Sequence, residues 1–146
     1  MTTATAAAEP LPQRTSLLLV ADAWCDAKSM CKHVSDAIRD RPANVFVVSP
    51  ALTGRLHSLV SDIDGAIAAA GVRLNAVLDE LRAAGVAAEG SVGDEDPLLA
   101  IKDSLYEFPA TEILVVTDSS HQNWRERHVI ERLTALGLPF SFVQVT

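Results

Sequence analysis

The chain has 146 residues, of which 49% are apolar, so it has the usual length of one globular domain and can bury a substantial core. Its formal net charge of −7 argues against nucleic acid as a partner and against docking on an anionic membrane, because both surfaces attract clusters of lysine and arginine. Its apolar runs are all shorter than the roughly 18–20 residues of a membrane-spanning helix.

The first 15 residues are rich in alanine, threonine and proline and differ in composition from the rest of the chain. They lack the positively charged start and apolar stretch of a signal peptide, and we interpret them as a disordered tail before one domain over residues 16–146. The two cysteines, Cys25 and Cys31, are too few for a disulfide framework and have no metal-ligand spacing. Free thiols indicate a reducing compartment, so we expect a cytoplasmic protein.

Short aliphatic segments alternate with longer segments of helical spacing along this domain. The aliphatic segments predict strands, and the first of them is apolar on both faces, which is typical of a strand covered by helices on both sides. The predicted strands lie over 17–21, 45–48, 86–92, 112–117 and 140–145, and the helices between them begin at Asp26, Ser61, Asp96 and Trp124.

Apolar residues recur at spacings of three and four in the predicted helices, which indicates one buried face on each. We expect the inward faces to consist of Met30, Val34, Ala37 and Ile38 in the first helix, Ile63, Ile67, Ala70, Leu74, Val77, Leu78 and Leu81 in the second, and Leu98, Leu99, Ile101, Leu105 and Tyr106 in the third. Asp96 followed by Pro97 is a typical helix start, while Gly85 and Gly137 stand where helices end. Five strands joined by four helices through parallel connections give an open α/β sheet, and the pattern alone leaves the strand order open.

Ligands of open α/β sheets bind beyond the carboxyl ends of the strands, so the loops that follow the strands are the candidate site. Asp22 comes directly after the first strand, and a longer loop with Arg55 and His57 follows the second. The loop after the fourth strand is rich in hydrogen-bonding groups and contains Asp118, Ser119, Ser120 and His121.

Several motifs that carry chemistry are absent from these loops. Neither a G-x-G-x-x-G nor a G-x-x-x-x-G-K phosphate loop occurs, although a phosphate cradle needs glycines for close approach of the backbone. A hydrolytic triad of Asp118, Ser119 and His121 is conceivable from residue types alone. It is disfavoured because the strained nucleophile elbow G-x-S-x-G is missing.

The layout of residues 16–146 resembles the universal stress protein family. The resemblance rests on the order of the elements, on Gly93-Asp94 before the helix at Pro97, on the start of the second helix over 61–64, and on the segment Val129-Ile130-Glu131-Arg132. That segment is similar to the Val-x-Glu-Arg start of the family's final helix. The resemblance implies a three-layer, doubly wound α/β fold whose five parallel strands have the order 3-2-1-4-5.

The resemblance also implies a set of ligand-binding positions. ATP-binding members use an aspartate after the first strand, the backbone near the end of the second, and a Gly-two-residues-Gly-nine-residues-Gly-Ser/Thr motif after the fourth. The matching positions in this chain are Asp22, Val48, Asp118, Ser119, Ser120, Arg127, His128 and Val129. No glycine occurs between Gly93 and Gly137, and Arg127 and His128 stand near the place of the final Gly-Ser/Thr. We therefore interpret the chain as a divergent member that lacks the glycine-rich phosphate motif.

Three functional hypotheses follow. The leading one is a regulatory or binding module without enzymatic activity and without a cofactor, which acts through an unidentified protein partner or binds another anion through Arg125, Arg127 or His128. The alternative is an adenine-nucleotide-binding stress protein for ATP, AMP or cyclic AMP, with slow hydrolysis as an option. The third is a small hydrolase built on the loop after the fourth strand.

Family members often dimerise through the last strand, so the resemblance implies a homodimer paired through Phe140, Phe142, Val143 and Val145. In the order 3-2-1-4-5 this strand lies at a sheet edge, where backbone groups are usually covered or paired. The competing interpretation is that Phe140 and Phe142 pack beneath the domain's own helices.

Overall fold

The computed structural model describes residues 15–21, 26–39, 41–50, 63–93, 96–118 and 129–145. Within these residues the strands are β1 (Thr15–Ala21), β2 (Ala43–Pro50), β3 (Ala87–Gly93), β4 (Glu112–Asp118) and β5 (Phe140–Val145). The helices are α1 (Ala27–Ile38), α2 (Ile63–Ala83), α3 (Pro97–Glu107) and α4 (Val129–Ala135). None of these helices is long and apolar enough to cross a lipid bilayer.

The strands form one parallel sheet in the order β3-β2-β1-β4-β5. In the central pairs, Val20 lies opposite Val48 of β2 and Val115 of β4. The strand order that the family resemblance implied is therefore confirmed, and so is the α/β class that the alternating pattern predicted. β3 and β5 are the two edges of the sheet in the described part of the chain.

Two cores lie on opposite faces of the sheet because successive side chains of a strand point to opposite sides. The α1/α2 core contains Leu17, Leu19, Met30, Val34, Val47, Leu74, Leu81 and Val116, among others. The α3/α4 core contains Leu18, Val20, Phe46, Val48, Leu98, Ile101, Val115 and Leu133, among others. Each of the three interior strands β2, β1 and β4 contributes to both cores, which explains why their central residues are apolar on both faces.

Part of the predicted inward faces is exposed. Ile67 is 44% exposed, Leu99 is 43% exposed and Tyr106 is 92% exposed. The 21 residues of α2 extend about 31 Å, whereas a seven-residue strand extends about 23 Å, so one helix is longer than the sheet it covers. In α3, Leu99 and Tyr106 are seven positions apart and share a second stripe that faces solvent, while Leu98 and Ile101 are buried.

Helix ends agree with the sequence signals wherever the structure describes them. The side chain of Asp96 accepts a hydrogen bond from the Leu98 N–H at 3.0 Å, directly before Pro97 at the start of α3. Gly85 and Gly137 have φ angles of 83° and 77°, which suits their places after α2 and α4. The predicted starts of the second and fourth helices, at Ser61 and Trp124, lie outside the described residues, as do residues 1–14 of the predicted tail.

The amino ends of the strands, which we call the amino edge, are connected by side chains. Arg41 donates to the carbonyl oxygens of Ile38 and Ala37 at 2.8 Å each, and its guanidinium pairs with the Glu112 carboxylate at 2.7 Å. The Thr111 N–H donates to the Ser16 carbonyl oxygen at 2.7 Å, and the Ser16 N–H donates to the Thr111 hydroxyl at 3.0 Å. These contacts satisfy the last carbonyls of α1 and fix where β4 enters the sheet beside β1.

Gly90 allows β3 and α2 to lie close to β2. A Cβ atom at this position would collide with the carbonyl oxygen of Val47 and would lie 2.7 Å from Cδ1 of Leu74. The missing side chain is therefore a packing requirement at this point of the sheet.

Replacing Gly90 with alanine should lower the free energy of unfolding by about 1–3 kcal/mol, because the added methyl group overpacks the contact with Val47. Gly71→Ala is the matched control, since a Cβ at Gly71 of α2 meets no atom within 4 Å. That control should raise the free energy of unfolding by about 0.5–1 kcal/mol through its higher helix propensity. Urea denaturation measures both variants, and a Gly90→Ala protein as stable as the wild type would contradict the packing argument.

Candidate functional site

The carboxyl ends of the strands form the edge at which open α/β sheets bind ligands, and we call it the carboxyl edge. The strand order reverses here between β1 and β4, because the chain passes from β1 to β2 on one side and later returns to β4 on the other. Ala21 at the end of β1 lies opposite Val116 of β4. Loops that follow β1, β2 and β4 therefore start side by side.

Of the eight predicted site residues, the structure describes Val48, Asp118 and Val129. Val48 is fully buried in the α3/α4 core and lies two residues before the end of β2, so its side chain is unavailable to a ligand. Asp118 ends β4 and Val129 begins α4, and the structure describes the backbone of both. The other five lie outside the described residues: Asp22, Ser119, Ser120, Arg127 and His128.

Ser49 is a polar residue at the carboxyl edge that directly follows the predicted second strand over 45–48 and lies in β2. It is 1% exposed, and its hydroxyl oxygen has no hydrogen-bond partner in the described part of the chain. A buried hydroxyl without a partner costs about 1–3 kcal/mol, and such groups are rare in folded proteins. Its position therefore calls for an explanation in terms of what adjoins it.

Ser49 lines a cavity of about 250 Å³ between α1, α2 and the carboxyl ends of β1 and β2. We call it the Ser49 cavity. Most of its wall is apolar and comes from Ala21, Met30, Val72, Leu74, Ala76 and Val77. Apolar walls with a small number of polar groups are typical of small-molecule sites.

Two charged residues, Asp26 and Arg73, also line the Ser49 cavity. Asp26 caps α1, where its carboxylate accepts hydrogen bonds from the Ser29 N–H and the Ser29 hydroxyl, both at 2.9 Å. These two hydrogen bonds hold the pKa of the Asp26 carboxyl below its ordinary value, and the bond from the Ser29 backbone N–H has the larger effect. Arg73 is half-buried, and burial lowers the pKa of its guanidinium.

No three His, Cys, Asp or Glu side chains come together in a way that would hold a metal ion, as far as the structure describes the chain. Cys31 is a free, half-buried thiol whose sulfur lies 3.8 Å from the carbonyl oxygen of Glu80. Cys25 lies outside the described residues.

Comparison with known proteins rests on structure. No protein-family model and no curated protein matches the chain. Among solved structures, the chain is similar to the crystal structure of a protein from the universal stress protein family from Burkholderia pseudomallei. The two superpose with a TM-score of 0.65 over 92% of this chain and 98% of that chain.

The chain has the universal stress protein fold. The identity to the Burkholderia protein is 16%, so the likeness concerns the path of the backbone. A fold of this kind brings the loops that follow its strands to the carboxyl edge, while the chemistry at that edge depends on the residues of this chain. Ser49 and Arg73 were not predicted, since one ends a strand and the other lies within a helix, and no sequence motif marks either.

The pH dependence of stability tests whether the charge of Asp26 stabilises the start of α1. Because its pKa is lowered in the folded state, the stability from its charge is present above its ordinary value of 3.8 and is lost as the pH falls through the native pKa. Asp26→Ala should lower stability at pH 7. Asp26→Asn keeps a hydrogen-bond acceptor without the charge. The difference in the free energy of unfolding between the wild type and this variant should therefore shrink below about pH 4. Urea denaturation across this pH range measures it, and a gap independent of pH would contradict a contribution from the charge.

Proposed function

We propose that the chain is a universal stress protein-like binding and regulatory module, cytoplasmic and without enzymatic activity, that does not hold ATP by the glycine-rich loop of the family. The observation that carries this proposal is the absence of glycine between Gly93 and Gly137, a stretch that contains the whole connection from β4 to α4. A cradle of backbone N–H groups for phosphate requires positions that only glycine occupies at low cost.

The alternative function, an adenine-nucleotide-binding protein, retains one supporting observation. The reversal of strand order between β1 and β4 is the place where nucleotides bind in folds of this kind. Such a protein would have to hold phosphate with the side chains of Arg127 and His128 instead of with backbone groups.

A thermal-shift screen separates the two functions. With ATP, ADP, AMP and cyclic AMP at millimolar concentration, we expect no change in the melting temperature. A ligand at 100 times its Kd would add roughly 2.7 kcal/mol to the stability, which is a measurable shift. A reproducible upward shift with any of these nucleotides, reduced by Asp22→Asn or Arg127→Gln, would establish the alternative in place of our proposal.

We further propose that the module forms a symmetric homodimer through the outer edge of β5. The Ile113 N–H of β4 donates to the Pro139 carbonyl oxygen at 2.9 Å, and this bond determines which residues of β5 pair with β4 through their backbone groups. Since a parallel strand turns alternate residues towards each neighbour, Ser141 and Val143 bond towards β4, and the backbone groups of Phe140 and Gln144 face away from it.

The aromatic residues of β5 have a different part in this arrangement. The rings of Phe140 and Phe142 lie 5.8 Å apart in an edge-to-face contact and pack, partly buried, against the α3/α4 core. The proposed pairing therefore relies on the backbone of β5, because Val143 packs, partly buried, against the α1/α2 core and the two rings support the strand from within their own protomer. The side chain of Val145 is outside what the structure describes.

Gln144→Pro tests edge pairing with little effect on packing, because the side chain of Gln144 is exposed and its N–H faces away from β4. We expect this variant to sediment as a monomer of 15.6 kDa and Gln144→Ala to sediment as a dimer, like the wild type. Proline at Val143 is unsuited, since it would remove a bond to β4. A wild-type protein that sediments as a monomer, or a dimeric Gln144→Pro protein, would contradict pairing through β5.

A further inference from the structure

Strand β3 lies at the edge of the sheet opposite β5, and the pairing of the inner strands determines which of its backbone groups face outward. The Thr15 N–H of β1 donates to the carbonyl oxygen of Pro42, directly before β2, at 2.8 Å. Alternate residues of a parallel strand bond to opposite neighbours. The even-numbered residues of β2 therefore bond to β1, and the odd-numbered residues of β2 bond to β3.

Three residues of β3 consequently direct their backbone N–H and C=O groups away from the sheet. Ala88, Gly90 and Val92 lie opposite the odd-numbered residues of β2. In each of these parallel pairs the β2 residue makes the bonds across the ladder, so the β3 residue turns its own groups outward. We call this row of outward groups the β3 edge. Such a row is a template for a strand of another chain.

The side chain of Arg82 occupies one end of the β3 edge. Its Nε–H donates to the Ala88 carbonyl oxygen at 3.1 Å, which agrees with the outward direction of that carbonyl. Arg82 belongs to the last turn of α2, the helix that packs beside β3. The strand itself carries neither lysine nor proline, the residues that often protect an edge, and its single charged residue is Glu89.

The β3 edge is complementary to a second copy of itself. A two-fold axis at Gly90 would pair two β3 strands antiparallel, with Ala88 of one copy opposite Val92 of the other. Glu89 would then lie opposite Ser91 of the second copy, so that like charges do not meet across the pair. The residue at the axis is a glycine, whose backbone is accessible to the second strand.

Arg82 obstructs both ends of such a ladder. Its guanidinium already occupies the Ala88 carbonyl oxygen, to which Val92 of the second copy would donate. By symmetry, the second copy's Arg82 obstructs the other end. An arriving strand would have to break both hydrogen bonds, and the pair at Gly90 is the part of the ladder that they leave unobstructed.

We propose that β3 is a second self-pairing edge, fitted to another copy of this chain, and that Arg82 holds it closed. This goes beyond the proposed homodimer, because it concerns the opposite edge of the sheet. If both edges paired, each chain would contact two others and the assembly would grow without closing. That Arg82 restricts assembly to a dimer rests on the proposed pairing through β5, whereas the closed state of β3 does not.

Arg82→Ala tests the proposal by removing the bond to Ala88. In sedimentation we expect species larger than a dimer, with an average mass that rises with protein concentration, while the wild type stays a dimer. Arg82→Met keeps the aliphatic stem without the donor and should behave in the same way, which provides a second variant if alanine prevents folding. Arg82→Lys keeps a charged donor at the edge and should sediment like the wild type.

Arg132→Ala is the matched control. It removes the same exposed side chain from the last turn of α4, a helix that packs on the other face of the sheet from α2. This variant should sediment like the wild type, so a change in mass common to Arg132→Ala and Arg82→Ala would reflect the lost charge and overturn the proposal.

Substitutions of Ser91 test the register of the proposed pairing. Combined with Arg82→Ala, Ser91→Glu places a carboxylate opposite Glu89 of the second copy and should return the protein to the wild-type mass. Ser91→Lys places a cation opposite the same carboxylate and should keep the larger species. Large species that persist with Ser91→Glu would indicate aggregation of unfolded chains and overturn the proposal.

The double variant Arg82→Ala/Gln144→Pro separates this proposal from the dimer through β5. With the β5 edge blocked, it should sediment as a dimer, at twice the mass of Gln144→Pro alone. If the wild type is a monomer, the β5 dimer fails, while a doubling of mass by Arg82→Ala still supports the β3 edge. A folded Arg82→Ala protein with the mass of the wild type at every concentration overturns the proposal. A loss of stability in urea without a change in mass would assign Arg82 only the role of tying α2 to β3.

Discussion

Strand β1 is paired on both sides and covered on both faces, and the rest of the sheet is built around it. Leu17 and Leu19 fill one core while Leu18 and Val20 fill the other, each at most 1% exposed. A slip of one residue in its pairing would exchange the side chains of the two cores, so the register with β2 and β4 is strongly specified. That register sets where the loops after these three strands begin, and hence the geometry of the carboxyl edge.

Local patterns in the sequence predicted the strands, the helix ends and the parallel connections, because each depends on residues close together in the chain. The strand order came from the family resemblance, since right-handed crossovers are compatible with more than one order. The exposure of Ile67 and Tyr106 could not be foreseen, because periodicity identifies an apolar stripe without showing whether anything packs against it. The unpartnered hydroxyl of Ser49 could not be predicted for a similar reason, because its lack of a partner depends on residues of α1 and α2 that are distant in sequence.

The universal stress protein fold at 16% identity illustrates which properties of a sequence a backbone requires. Aliphatic segments of the right length and a few glycines, such as Gly90 under α2, suffice for the sheet and its helices. The connection from β4 to α4 contains no glycine in this chain. Fold and ligand chemistry are thus encoded in different segments, and the first can persist while the second changes.

The contacts of Arg41 and Thr111 have a consequence for how this chain can evolve. They join α1, β1 and β4 at the amino edge, opposite the edge where ligands bind. Because these connections do not involve the loops at the carboxyl edge, substitutions or length changes in those loops leave them intact. Lysine could not replace Arg41 on equal terms, since the guanidinium reaches Ile38 from Nε and Ala37 and Glu112 from Nη2, whereas lysine carries all its donors on one nitrogen. The contacts at the amino edge thus connect the elements of the domain without the carboxyl edge, and this leaves the carboxyl edge open to acquire a new specificity.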